Sequence, residues 1–200
     1  MVACNQSPII ETTQTPVPAP SEDSGVQTRD IYTGTRLAGI TGARFATFYD
    51  ISVSNAGYIG TYDTARASWN QISSKVAIDK STTYAEANDQ YFVSDSDRSP
   101  INGETIFLFR NPDGTYKTVT ANNNFHHSQV VLYNGSFLHG YPDPNVRAYW
   151  IRSSAIHEVG HSLLQAHNSQ APGMSIMRPD SDSSGVTTYD RGELIRKWGQ

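Results

Sequence analysis

The sequence is short of cysteine, of charge and of long apolar runs, and each shortage excludes a class of protein. Cys4 is the single cysteine among 200 residues, so no internal disulfide can hold the fold. Charged residues amount to 17% and the net charge is -4, without the basic surface that nucleic acids and anionic membranes require. The sequence contains no run of about 18 apolar residues, so it predicts neither a membrane-spanning helix nor a complete secretory signal. We therefore expect one main domain, held by apolar packing or by metal.

Residues 1–29 have the composition of a tether. After the first few residues they are rich in Pro, Thr, Ser and acidic residues and poor in large apolar ones, which favours a flexible linker. The first four residues, Met-Val-Ala-Cys, resemble the end of a bacterial lipoprotein signal, in which the cysteine is lipidated after cleavage. A lipid on Cys4 would anchor the chain, and the tether would hold the domain clear of the membrane. The alternative is that Cys4 is an ordinary exposed thiol.

From residue 30 onward the composition is globular and predicts an α+β domain over residues 30–200. Aromatic and β-branched residues predict a first strand over residues 43–53. Apolar residues at three- and four-residue steps predict a helix over residues 58–72, with one face on a sheet. Further short strands complete a small twisted mixed sheet, at residues 90–93, 105–110, 116–120 and 129–133.

Two more helices are predicted in the last third of the chain. The first begins after Asp143, which can cap it, and runs to residue 164 or 165. Apolar residues lie around most of its circumference, so we expect it to be buried. The second covers residues 189–198, and Thr187 with Asp190 three places on can cap it.

The polar residues inside the long helix have the spacing of a metal site. His157 and His161 are four residues apart, so their imidazoles lie on one face and can bind one ion. Glu158 lies beside them, where its carboxylate can act as a general base on a water molecule near the ion. His167 follows after room for a turn and can give a third ligand, which leaves a fourth position open for catalysis. The alternative is that ordinary histidines have this spacing by chance, which is rare with 6 histidines in 200 residues.

The motif HEVGHSLLQAH at residues 157–167, followed by SIMRP, resembles the metzincin zinc endopeptidases and most of all the matrixins. Metzincins carry a methionine in a tight turn beneath the zinc, and Met177 with Pro179 two places on has that form. The resemblance covers residues 30–200. It implies a metzincin-like fold with a small twisted sheet, a long helix, a zinc-binding helix and a short C-terminal subdomain that ends in a helix. It also implies one catalytic zinc on the three histidines and hydrolysis of peptide bonds with Glu158 as the general base.

One position departs from the metzincin pattern. The family has glycine seven residues after the first histidine, where the helix breaks in a left-handed conformation, and this chain has Leu164 there. A β-carbon in that conformation costs about 1 kcal/mol. We therefore expect the break at Gln165 or Ala166 or a different helix end, with Leu164 turned toward Met177, where burial offsets the strain.

Three further sets of residues are candidate metal ligands. A later carboxylate could replace His167 as the third ligand, as in gluzincins: Glu193 first, then Asp180, Asp182 and Asp190. A second, structural zinc site could form from the other histidines, although their spacing does not support it: His126, His127 and His139. Calcium could bind acidic loop residues, although such loops are usually solvated turns: Asp95, Asp97 and Asp113.

Together these features predict a zinc-dependent endopeptidase that acts on peptides or proteins, monomeric and either secreted or lipid-anchored at a bacterial cell surface. An extended substrate is expected to pair with an edge strand above the zinc helix, and residues 129–133 are the predicted edge. Two alternatives stay open: a non-catalytic surface lipoprotein that uses its zinc site for interaction, and a hydrolase of a non-peptide amide. Glu158 argues against the first, because metal binding alone does not require it.

Overall fold

The computed structural model describes residues 31–37, 43–171 and 173–200. These residues form a mixed α+β fold with six strands in one sheet and five α-helices, so the predicted class is confirmed. The strands are β1 (Ala43–Tyr49), β2 (Val76–Ser81), β3 (Asp89–Ser94), β4 (Gly103–Arg110), β5 (Tyr116–Val119) and β6 (His127–Tyr133). The helices are α1 (Ile51–Asn55), α2 (Ile59–Trp69), α3 (Asn134–Gly140), α4 (Pro144–Ser162) and α5 (Thr188–Trp198). The predicted tether of residues 1–29, with Cys4, lies outside the described residues.

The sheet has the strand order β2-β1-β3-β6-β4-β5. Four strands are parallel, and β4 is antiparallel to both of its neighbours. The prediction that residues 129–133 form the edge is wrong, because β6 lies between β3 and β4. The residues of a strand do not determine which strands flank it, because that depends on the order of the whole sheet. The strand β5 pairs only with residues 107–110 of β4, so within the described residues the outer edge of residues 103–106 has no strand beside it.

Helices α2 and α4 cover one face of the sheet. Alternate residues of the strands point into this core, as in a sheet with one covered face. Trp69 at the end of α2 is fully buried, and its indole Nε1 donates to the main-chain O of Ile156 in α4 at 2.8 Å. The core joins residues of the sheet, both helices and the C-terminal part, among them Phe45, Ile78, Tyr91, Val130, Leu132, Tyr62, Val159, Ile176 and Leu194.

Several element boundaries differ from the sequence prediction. The first strand ends at Tyr49, because the Asp50 side chain accepts from the main-chain N of Ser52 at 2.9 Å and begins α1. The helix α2 ends at Trp69, before the predicted residue 72. Strand β2 and helix α3 were not predicted.

The two C-terminal helices begin where their caps predict. Asp143 accepts from the first turn of α4, and Thr187 forms a capping box with Asp190 at the start of α5. The prediction that α4 is buried along its length is wrong for its first turns, where Val146 and Tyr149 are exposed. Among the described residues, no helix combines the length and apolar character needed to cross a membrane.

Candidate metal centre

Three histidines meet at the end of α4. The Nε2 atoms of His157 and His161 are 3.0 Å apart, and His167 Nε2 lies 2.8 Å from the first and 3.0 Å from the second. These atoms are close enough together to bind one metal ion. In the part of the chain that the structure describes, no other group of three histidine, cysteine or carboxylate side chains meets in this way.

Hydrogen bonds fix the tautomer of the two helical histidines. His157 Nδ1–H donates to the main-chain O of Ile176 at 2.6 Å, and His161 Nδ1–H donates to the main-chain O of Gln165 at 2.7 Å. Burial lowers the pKa of His157 to about 4 and the pKa of His161 well below its usual range, so both rings are neutral at pH 7. Their Nε2 atoms therefore present lone pairs to each other, and a cation between them would satisfy both. The donor set thus fits a divalent metal.

The turn after α4 brings His167 back to the helix. Leu164 has φ 64°, so the helix breaks in a left-handed conformation at Leu164 itself and not at Gln165 or Ala166 as expected. The side chain is buried, but it packs against Phe107 and Phe125 and not against Met177, so that expectation is also wrong. Burial in this second apolar cluster offsets the strain of the β-carbon.

Alanine usually gives a more stable protein than glycine at the same position, and we expect the reverse at Leu164. Leu164→Ala loses the apolar contacts and keeps a strained β-carbon, whereas Leu164→Gly loses them and relieves the strain. The glycine variant should therefore be more stable than the alanine variant by about 1 kcal/mol, and both should be less stable than the wild type by about 2 kcal/mol or more. Urea unfolding measures the stability, and metal content should remain that of the wild type in both variants. An alanine variant as stable as the glycine variant would contradict the left-handed assignment.

A tight turn below α4 supports His157. Met177 is buried, and a β-carbon on Gly160 of α4 would lie only 2.5 Å from its Sδ, so the turn touches the helix directly. Asp190 stabilises the turn, because its carboxylate accepts hydrogen bonds from Ser175 Oγ at 2.5 Å and from the main-chain N of Ile176 at 3.1 Å. The carbonyl of Ile176 is the one that orients His157. Met177 therefore packs against α4 at Gly160, one residue before His161.

Glu158 follows His157 in α4 and is 6% exposed. Its Oε2 is 3.0 Å from Thr105 Oγ1 of β4, and the same hydroxyl is 2.7 Å from the main-chain O of Glu158. Burial raises the pKa of Glu158 to about 8, and the hydrogen bond from Thr105 opposes that rise. A cation on the histidines would favour the charged carboxylate and lower this pKa.

No protein-family model matches the chain, and no curated protein is significantly similar to it. The chemistry of the centre is therefore inferred from the residues that form it.

Residues 31–37 cross the turn that carries His167. Ile31 forms a β-bridge with Gln165, and the main-chain N of Tyr32 donates to Leu164 O at 2.9 Å. The Tyr32 ring lies with its centroid 6.0 Å from that of His161. At the other end of the segment, Arg36 forms a buried ion pair of 2.7 Å with Asp89. This segment therefore stabilises the break after α4.

The structure places the other candidate ligands elsewhere. Within the described residues, no carboxylate joins the three histidines. Three of the four candidate carboxylates have other partners: Glu193 pairs with Arg196, Asp180 with Arg178, and Asp190 with Ser175. The proposed second zinc site does not assemble, because its histidines have separate neighbours: His126 accepts from Arg110 N, His127 contacts Tyr116 and His139 pairs with Asp97.

The acidic residues suggested for calcium accept hydrogen bonds from other side chains. Asp95 accepts from Asn134, Asp97 from Ser99, and Asp113 from Thr115. These bonds are typical of turns and of loop contacts.

Sequence reasoning missed Thr105, Tyr32 and the carbonyls that orient the histidines. Thr105 lies 53 residues from Glu158 in the chain, and Tyr32 precedes the sheet altogether. No local pattern marks either residue, since both reach the centre only through tertiary packing.

Proposed function

We propose that this chain is a zinc-dependent endopeptidase of the metzincin type, most similar to matrixins. The observation that carries the proposal is the convergence of three imidazole Nε2 atoms at the end of α4, the helix that also carries the buried carboxylate of Glu158. Binding alone needs the three histidines, but hydrolysis also needs a base that is not itself a ligand. The methionine turn beneath His157 and the left-handed break before His167 support the metzincin type.

The donor set favours zinc over other divalent ions. Three neutral imidazoles are typical ligands of zinc in sites that keep an open position, whereas magnesium and calcium prefer oxygen ligands. When bound, zinc lowers the pKa of water and polarises a carbonyl group. His157, His161 and His167 would hold it.

The chain's own residues supply the rest of the reaction. Glu158 accepts a proton from the attacking water as the water oxygen bonds to the scissile carbonyl carbon. It then returns this proton to the amine nitrogen as the carbon–nitrogen bond breaks. The buried position of the carboxylate excludes bulk water that would otherwise compete for the proton.

The free edge of β4 is the better candidate for substrate pairing, in place of β6. Tyr133 N donates to Asn102 O at 2.9 Å, and antiparallel strands bond through alternate residues, so the main-chain groups of Gly103 and Thr105 point away from β6. They are available to an extended peptide. Pairing through the main chain tolerates many side chains, which favours peptides and proteins as substrates.

The proposal is tested with a peptide library and purified protein. We expect mass spectrometry to find internal cleavages, their loss when a chelator removes the metal, and their return when zinc is added. Cleavage that persists without metal would contradict the zinc mechanism. A zinc-loaded protein that cleaves no peptide would favour the non-catalytic alternative, and a secreted or lipid-anchored location stays a prediction.

A further inference from the structure

Two residues of strand β4 lie against the side chain of Glu158. Thr105 Oγ1 lies 3.0 Å from Glu158 Oε2. Two residues earlier, Gly103 has no side chain, and a β-carbon there would lie 2.9 Å from Glu158 Cγ and 2.9 Å from the main-chain O of Val131. The strand therefore fits closely over this side chain.

The Thr105 hydroxyl is bonded to α4 as well as to the carboxylate. It lies 2.7 Å from the main-chain O of Glu158, so one hydroxyl bridges the backbone and the side chain of the same residue. A glutamate has three side-chain torsions, and most of its rotamers would take the carboxylate away from this position. A bridge of this kind selects one rotamer. When the carboxylate is charged, the single hydroxyl proton is shared between Oε2 and the main-chain O. When the carboxyl group is protonated, it can donate to Thr105 Oγ1 while the hydroxyl donates to the main-chain O, so the contact persists in both states.

The same residue belongs to the free edge of β4. The main-chain groups of Thr105 point away from β6, toward the side on which β5 has already ended. A peptide that pairs with this edge would bond to the residue whose side chain holds Glu158. The strand thus connects the position of a bound peptide to the position of the base.

We propose that Thr105 is a positioning residue, which holds the carboxylate of Glu158 beside the histidines while its main chain pairs with the substrate. This inference rests on the proposed function, because it assigns Thr105 a role in that reaction. It predicts that the hydroxyl acts on the chemical step and not on substrate affinity, since the main-chain contacts do not depend on the side chain.

Thr105→Val and Thr105→Ser separate the hydroxyl from the shape of the residue. Valine keeps the shape and loses the hydroxyl, so kcat should fall about tenfold or more while KM changes by less than about twofold. Serine keeps the hydroxyl and should restore most of kcat. Thr118→Val, on the exposed face of β5, makes the same chemical change away from Glu158 and serves as the matched control. Zinc content and urea unfolding are measured for each variant.

A second measurement does not need a substrate. Acetohydroxamic acid binds a zinc site through its oxygens and gives a proton to a neighbouring base, so its Kd reports on the carboxylate. In zinc-loaded Thr105→Val we expect Kd to rise about tenfold, with recovery in Thr105→Ser. Unchanged kcat or Kd in the valine variant overturns the inference, and so does equal impairment by valine and serine. If the wild type cleaves no peptide, the proposed function fails and the acetohydroxamate affinities alone decide whether Thr105 positions Glu158.

Discussion

A His161→Ala variant is expected to lose its metal. His161 is the buried ligand of the three, and its ring is held by the bond from Nδ1–H to Gln165 O. Its removal leaves two imidazoles, one of them the exposed His167, and two ligands rarely retain zinc in an open site. After dialysis, elemental analysis should find about one zinc per chain in the wild type and less than about a tenth of that in the variant.

The exposed His139 provides the control for this substitution. It pairs with Asp97 on the surface and has no contact with the three histidines, so His139→Ala should keep full zinc content. Circular dichroism checks that His161→Ala remains folded. Full zinc occupancy in a folded His161→Ala protein would show that the three histidines do not form the metal site.

Glu158→Gln is expected to keep the metal and to lose hydrolysis. Glutamine has nearly the size of glutamate and can still bond to Thr105, but an amide does not take a proton from water. Turnover of a quenched peptide should therefore fall by at least roughly 100-fold at equal zinc content. Turnover equal to that of the wild type would show that Glu158 is not the general base.

The same variant should be more stable than the wild type when both are metal-free. Burial raises the pKa of Glu158 to about 8 in the folded chain, against an ordinary value of 4.5. An acid with a raised pKa stabilises the fold fully below the ordinary value, and this contribution is lost as the pH rises through about 8. Urea unfolding between these two pH values should show a growing advantage for Glu158→Gln. Activity and stability thus change in opposite directions, which a general loss of structure would not produce.

The sequence was sufficient to predict those features whose geometry is local. The four-residue spacing of His157 and His161 sets their shared face in any helix, and the capping box at Thr187 fixes the start of α5 within one residue. Asp50 shows the limit of this reasoning. It lies inside a run that is typical of a strand, yet its side chain caps α1 and ends β1.

The sequence was insufficient to predict those features that depend on contacts between distant segments. Leu164 adopts a left-handed conformation because a second apolar cluster buries its side chain and Tyr32 bonds to its carbonyl. Neither contact is visible in the motif. The same holds for β6, whose neighbours depend on the order of the whole sheet and not on its own residues.

The most direct test of a zinc-dependent endopeptidase is a titration of metal-free protein with zinc during cleavage of a quenched peptide. One ion on three histidines predicts that the rate rises linearly with added zinc and reaches its plateau at about one equivalent per chain. The Glu158→Gln variant should bind the same equivalent and remain inactive. A rate that is independent of zinc, or a Glu158→Gln protein that reaches the plateau of the wild type, would contradict the account.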